Sequence, residues 1–149
     1  LTMEQKLCPA YYETPEGKAF IGEIVKLCET EKKIVVDTFD GEEDIHEYRM
    51  IHGIPQADVR FLISESHGHI VKEIVDRRMD VTILMTGGDT LMGYMKLIGC
   101  TQLEPVCEIE PGVVVSMLVW NGYRQQVISK SGGFGTEDIM GRIAQKIVK

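Results

Sequence analysis

The chain has 149 residues, 44% of them hydrophobic and 26% charged, with a formal charge of −7 at pH 7. That length suffices for one domain with a core, and the acidic balance argues against a nucleic-acid binder, whose phosphate contacts need a basic face. No apolar run is long enough for a bilayer, no signal-peptide pattern opens the chain, and the four cysteines (Cys8, Cys28, Cys100, Cys107) form no C-x-x-C pair, which fits reduced thiols in the cytoplasm.

Leu1 is not an initiator, and "LTMEQKL" reads as the first turns of a helix. The expectation is a piece of a longer chain, cut just before Leu1. Thr14 and Pro15 then mark a helix start, as N-cap and first helical residue. Phe20, Ile21, Ile24, Val25, Leu27 and Cys28 recur at helical spacing and predict one apolar face. "KKIVVDTF" is a β-branched run that reads as a strand. "DGEED" is a solvated acidic turn, and Gly53-Ile54-Pro55 breaks the chain again. In "HIVKEIVDRRM", Ile70, Val71, Ile74, Val75 and Met79 share a helical face. "VTILMT" is nearly all apolar, as in a strand covered on both sides. "LMGYMKLIG" continues as a helix closed by Gly99. "GVVVSMLVW" and "YRQQVIS" flank Asn121-Gly122, a hairpin signal. A last helix is expected from about Thr136 to Val148, burying Ile139, Met140, Ile143, Ile147 and Val148. This order predicts a three-layer α/β/α sandwich, with a mainly parallel sheet and an antiparallel hairpin near the C-terminus.

Two glycine turns stand out. Thr86-Gly87-Gly88-Asp89-Thr90 lies between an apolar strand and a helix, where ligands bind in open α/β sheets. Glycine lets the backbone approach a ligand closely, and the free N–H groups at a helix start favour an anion. Asp89 has the wrong sign for a phosphate, so it should cap the helix, reach a ribose or hold a cation such as Mg²⁺. "KSGGFG" repeats the grammar. Lys130 precedes the turn, Gly132, Gly133 and Gly135 offer successive N–H groups as an anion nest, and Ser131 and Thr136 add hydroxyls. Phe134 covers a base or plugs the core. Neither turn is a P-loop or a dinucleotide fingerprint. If their strands are parallel neighbours, both turns face one site, rich in donors and short of side chains, which suits a polyphosphate better than an apolar metabolite. Glu110-Pro111-Gly112 is a third tight turn, read first as a corner.

In this order and spacing, "TGGDT", "EIEPGV" and "KSGGFG" resemble the C-terminal, nucleotide-binding domain of the four-carbon acid sugar kinases (tetronate and 3-oxo-tetronate kinases). The match is strongest from Val81 to Gly135, and "LTMEQ" resembles the T-x-x-Q that opens that domain. The resemblance implies ATP-dependent phosphorylation of a small sugar acid, with Mg²⁺ at the phosphates. Gly88 and Gly132 match glycines that touch ATP in the family, and Gly87, Ser131 and Gly133 are their neighbours. Asp89 stands where the family has Asp or Glu, and Val114 where it usually has Pro. On this view residues 1–149 are the nucleotide-binding domain of a two-domain kinase. The family's upstream glycine–serine turn and its N-terminal domain, which holds the sugar acid and the catalytic base, are expected outside this chain. No catalytic residue and no protein metal ligand set is assigned, and the domain alone is expected to be inactive.

Two other readings stand beside this one. One is a non-catalytic module for a nucleotide or an anionic metabolite. The other is an assembly domain, a homo-oligomer in which the glycine turns are empty and apolar residues on the "GVVVSMLV" strand meet across a subunit contact. His67 and His69 diverge on a helix and make a poor metal pair. His46 and His52 lack a partner motif. Ser64, Ser66 and Ser116 lack a nucleophile elbow. Arg77-Arg78 suits a helix end, and Tyr11-Tyr12 is a contact patch or core.

Overall fold

The computed structural model describes residues 1–38, 45–120 and 122–147. The expected "DGEED" turn, Phe39, Asn121 and Val148 lie outside them.

Thr2 starts α1 (Met3–Leu7) through reciprocal capping. Its hydroxyl accepts from the Gln5 amide, while its own amide donates to Gln5 Oε1 at 2.9 Å. The T-x-x-Q pattern is therefore a capping box. A 3₁₀ turn (Pro9–Glu13) leads to α2 (Pro15–Thr30), where Thr14 accepts from the Gly17 amide at 3.0 Å and Pro15 takes the first position, as expected. Ile21 and Val25 are buried, while Leu27 turns outward. Then follow α3 (Ile45–Ile51), α4 (Val59–Asp76), β1 (Ile83–Thr86), α5 (Gly88–Leu97), β2 (Leu103–Glu110), β3 (Val113–Trp120), β4 (Tyr123–Lys130) and α6 (Ile139–Ile147).

The strands form one sheet in the order β1-β4-β3-β2. Alternation along them splits the core in two. Ile83, Met85, Leu118 and Val127 face α2, α4 and α5. Val113, Val115 and Ile128 face Ile139 and Ile143 of α6. This is the expected α/β/α layering, and β3–β4 is the expected hairpin, with Trp120 opposite Tyr123. Fully buried side chains such as Leu118 and Ile143 each contribute roughly 1.5–3 kcal/mol.

The parallel part is narrower than expected. β1 pairs with β4 in parallel, whereas β4–β3 and β3–β2 are antiparallel. "KKIVVDTF" would have widened it, but residues 31–38 join no ladder. There the Asp37 carbonyl accepts from the Leu1 ammonium at 2.6 Å, and the Thr38 carbonyl from Lys6 at 3.0 Å. β2 adds antiparallel pairing at the opposite edge. β3 is paired on both sides, and its Val113, Val115 and Leu118 side chains are buried in the cores of this chain.

The helix that carries the first glycine turn is pinned by small residues. A Cβ on Gly93 of α5 would lie 2.7 Å from the backbone of Ser64 on α4, and one on Gly68 of α4 would lie 3.3 Å from the Tyr94 Cα. The two helices therefore cross at backbone distance. Gly93→Ala is expected to destabilise the chain by roughly 1–3 kcal/mol through overpacking. Gly141→Ala, on α6 with nothing within 4 Å of the added methyl, is expected to stabilise it by up to about 1 kcal/mol. Urea unfolding of both variants checks this, and equal midpoints would contradict it.

Candidate functional site

The last residues of β1 and β4 are partners. Thr86 lies opposite Lys130 in the parallel ladder, and the Gly87 amide donates to the Lys130 carbonyl at 2.9 Å. Both glycine turns thus leave the sheet side by side at the carboxyl ends of their strands, as the sequence predicted.

In the first turn Gly87 is the N-cap of α5 at φ +89°, a conformation open mainly to glycine. No side chain caps the helix, so Gly88, Asp89 and Thr90 present first-turn N–H groups without intrahelical partners. The capping role foreseen for Asp89 therefore goes to Gly87. Asp89 sits exposed in the first turn, where a carboxylate suits the helix dipole. The Thr90 hydroxyl is committed, donating to the Thr86 carbonyl at 3.1 Å.

In the second turn Lys130 is half-buried, and its ammonium donates to the Ser131 carbonyl at 3.1 Å. Ser131 through Gly135 are exposed. The turn does not open a helix directly, as had been expected. Thr136 to Asp138 form a further turn, in which the Thr136 hydroxyl donates to the Asp138 carboxylate, and α6 begins only at Ile139. The dipole of α6 is thus set back from the glycines.

The glycines divide by what the fold asks of them. Gly87 and Gly135 have positive φ, and a Cβ on Gly135 would strike Ile139 at 2.3 Å. Gly88, Gly132 and Gly133 have neither constraint: φ is ordinary and a Cβ would meet nothing within 4 Å. Packing explains the first pair and leaves open space before the other three.

The third turn joins them. The Gly112 carbonyl accepts from the Ser131 amide at 2.9 Å, and Phe134 lies over Gly112, where a Cβ would come within 2.7 Å of its ring. Phe134 is thus neither in the core nor free. The turn is braced by groups the sequence reading passed over. Glu108 Oε1 accepts from the Gly112 amide at 2.8 Å, and Glu110 accepts from Lys146 of α6 at 2.7 Å, with Arg142 at 3.8 Å. The four-residue spacing of Arg142 and Lys146 was the available signal, since it puts two cations on one helix face.

The remaining candidates lie elsewhere. His67 Nδ1 is 2.9 Å from the Ile63 carbonyl of its own helix, and burial pushes the imidazole below its ordinary value. His69 stacks on Tyr12, which is core, its hydroxyl donating to the Gln5 carbonyl at 2.8 Å. His52 stacks on Tyr48, and Arg49 lies against His46. Ser64 and Ser66 donate to the Arg60 and Lys6 carbonyls, and Ser116 is buried in β3. A cleft of about 620 Å³ between α2 and α4, lined by Tyr12, Lys18, His69 and Arg77, includes none of the glycine-turn residues. Among the described residues no three His, Cys, Asp or Glu side chains cluster as a metal site, and no helix is long and apolar enough to cross a membrane.

A three-layer fold whose glycine turns leave the carboxyl edge of two parallel strands falls in the class of α/β folds that bind ligands at that edge. The chain belongs to the family of nucleotide-binding C-terminal domains, whose model matches residues 9–140. This is the domain the sequence resembled, that of the four-carbon acid sugar kinases. No curated protein matches the chain significantly. Among solved structures it is similar to Haemophilus influenzae protein HI1011, of the DUF1537 family, with 18% identity over 99% of this chain and 33% of that one, at a TM-score of 0.57. It is also similar to a DUF1537 protein from Bordetella bronchiseptica, solved with bound citrate as a domain-swapped dimer. In one crystal form the identity is 19% over 91% of this chain and 32% of that one, at a TM-score of 0.55. In another it is 25% over 56% and 21%, at 0.50. The chain spans a third or less of the length of these proteins.

Lys146 holds the Glu110 carboxyl below its ordinary range, chiefly through its hydrogen bond, and the Thr136 hydroxyl does the same for Asp138. A carboxyl depressed in the fold stabilises it above the unfolded value and loses that contribution as pH falls through the folded one. The melting temperature is therefore expected to drop as pH falls from about 5 to about 3, and to drop less in Lys146→Met. Identical acid limbs in scanning calorimetry would contradict this.

Proposed function

We propose that this chain is the ATP-binding half of a kinase that phosphorylates a small, four-carbon sugar acid. The observation that carries the reading is the Thr86–Lys130 pairing, which sets two glycine turns beside each other with Gly88, Gly132 and Gly133 facing open space. Those faces leave room for a phosphate chain, because a Cβ at any of the three would meet nothing within 4 Å. Phosphoryl transfer is mostly positioning and charge stabilisation. In this reading the N–H groups of Gly88, Asp89 and Thr90 at the start of α5, with those of Gly132 and Gly133, hold the phosphate oxygens. Gly87 and Gly135 shape the two turns, Ser131 ties the second to Gly112, and Lys130 adds positive charge. ATP brings Mg²⁺, which needs few protein ligands, and Asp89 is the carboxylate in these turns that would meet it.

The sugar acid and the catalytic base belong to an N-terminal domain of the same full-length protein, so the 1–149 domain alone transfers no phosphate. The reading sets the protein in the cytoplasm, where ATP and reduced thiols coexist. A second reading, a non-catalytic module for an anionic metabolite, draws on the citrate of the Bordetella structures. Calorimetric titration with Mg·ATP and with citrate separates the two.

Gly132→Val and Gly88→Val are expected to weaken Mg·ATP binding at least roughly tenfold. Their melting temperatures should stay near that of the parent chain, since nothing in the fold opposes the added Cβ. Equal affinity in parent and variants would remove these turns from the site.

A further inference from the structure

We propose that Glu110, held by α6, is a positioning residue for the second glycine turn. The inference rests on the nucleotide reading above and adds a regulator of the same site. Ser131 to Gly135 are exposed, so no burial in the core fixes them. Contacts beyond the turn do: Lys130 Nζ on the Ser131 carbonyl at 3.1 Å and Gly135 against Ile139 at its two ends, and, between them, the Ser131 amide on the Gly112 carbonyl at 2.9 Å with Phe134 lying over Gly112. The middle of the turn, Ser131 to Phe134, therefore takes its place in part from Gly112.

Gly112 follows Glu110 by two residues, and Glu110 is tethered from the opposite layer. Lys146 Nζ reaches Glu110 Oε1 at 2.7 Å and the Ile109 carbonyl at 2.9 Å, so it grips side chain and backbone together. Arg142 stands 3.8 Å from the other carboxylate oxygen. The Glu110 side chain is only 19% exposed, which limits the water that competes for it. α6 has its own anchor in Ile139 and Ile143, both buried. Loss of the Lys146 contact therefore leaves the helix seated and removes the tether between α6 and the Glu110–Gly112 corner, leaving Gly112 braced by Glu108 alone among these side chains. The path is α6, Glu110, Gly112, then Ser131 and Phe134.

A purely electrostatic role is the alternative, in which Lys146 and Arg142 draw an anionic ligand through space. The two accounts differ in sign. Removing the Glu110 carboxylate makes the region more positive, so charge alone predicts tighter binding, whereas a lost tether predicts weaker binding.

The experiment titrates the full chain and three variants with Mg·ATP by calorimetry and follows Ser131 amide exchange by NMR. Lys146→Met and Glu110→Ala should both weaken Mg·ATP by about fivefold, the scale of one partly shielded ion pair. The Ser131 amide should exchange faster in both, and Lys146→Arg should restore both readouts. The inference is overturned, with the nucleotide reading left standing, if the parent binds Mg·ATP and the two variants do not weaken together. It is equally overturned if Ser131 exchange is unchanged, or if Lys146→Arg behaves like Lys146→Met. A parent chain that gives no heat with Mg·ATP overturns the nucleotide reading and this inference with it.

Discussion

A four-residue parallel ladder fixes where the polar turns must leave the sheet. Ile83 to Thr86 run beside Val127 to Lys130, and the ladder's last hydrogen bond comes from the Gly87 amide itself. Slipping this pairing by one residue would send Ile83, Met85 and Val127 to the wrong face. Because both faces are covered by helices, such a slip would strand apolar side chains in the wrong layers. Core packing thus sets the register, and the register sets the distance between the two turns.

Each turn is then held by a different kind of contact. The first is placed by the close crossing of α5 on α4, where Gly93 admits the Ser64 backbone and any larger residue would hold the helices apart. The second is packed only at its end, where Gly135 meets Ile139. It rests on a neighbouring hairpin corner, which a carboxylate ties to α6. One wall of the site is built from close-packed backbone and the other from polar contacts near solvent. Polar contacts respond to pH, salt and side-chain substitution far more than a packed helix crossing does.

Much of this was legible in the sequence because the signals were local. Thr14-Pro15 carries its own cap, "VTILMT" its own burial, and the run around Gly122 its own reversal. What stayed hidden depended on tertiary context. "KKIVVDTF" has strand composition, but its described residues, 32–38, find no ladder, and Val35 stands 84% exposed. β2 was missed because Glu104, Pro105 and Glu108 break the pattern, yet an edge strand tolerates all three. The start of α4 was missed because its inward residues, Ser64, Ser66 and Gly68, are small rather than apolar, chosen by contact with α5 and α1. At the site, the glycines could be named from sequence. Which of them the fold itself requires could not, because that turns on φ and on neighbours such as Ile139.

On the proposed function, one anion contacts both turns at once. An amide-resolved NMR titration of the chain with Mg·ATP measures that directly. Gly88 to Thr90 and Gly132 to Gly133 should shift along one saturation curve, with a common dissociation constant. Shifts confined to one turn, or two curves with different constants, would contradict it.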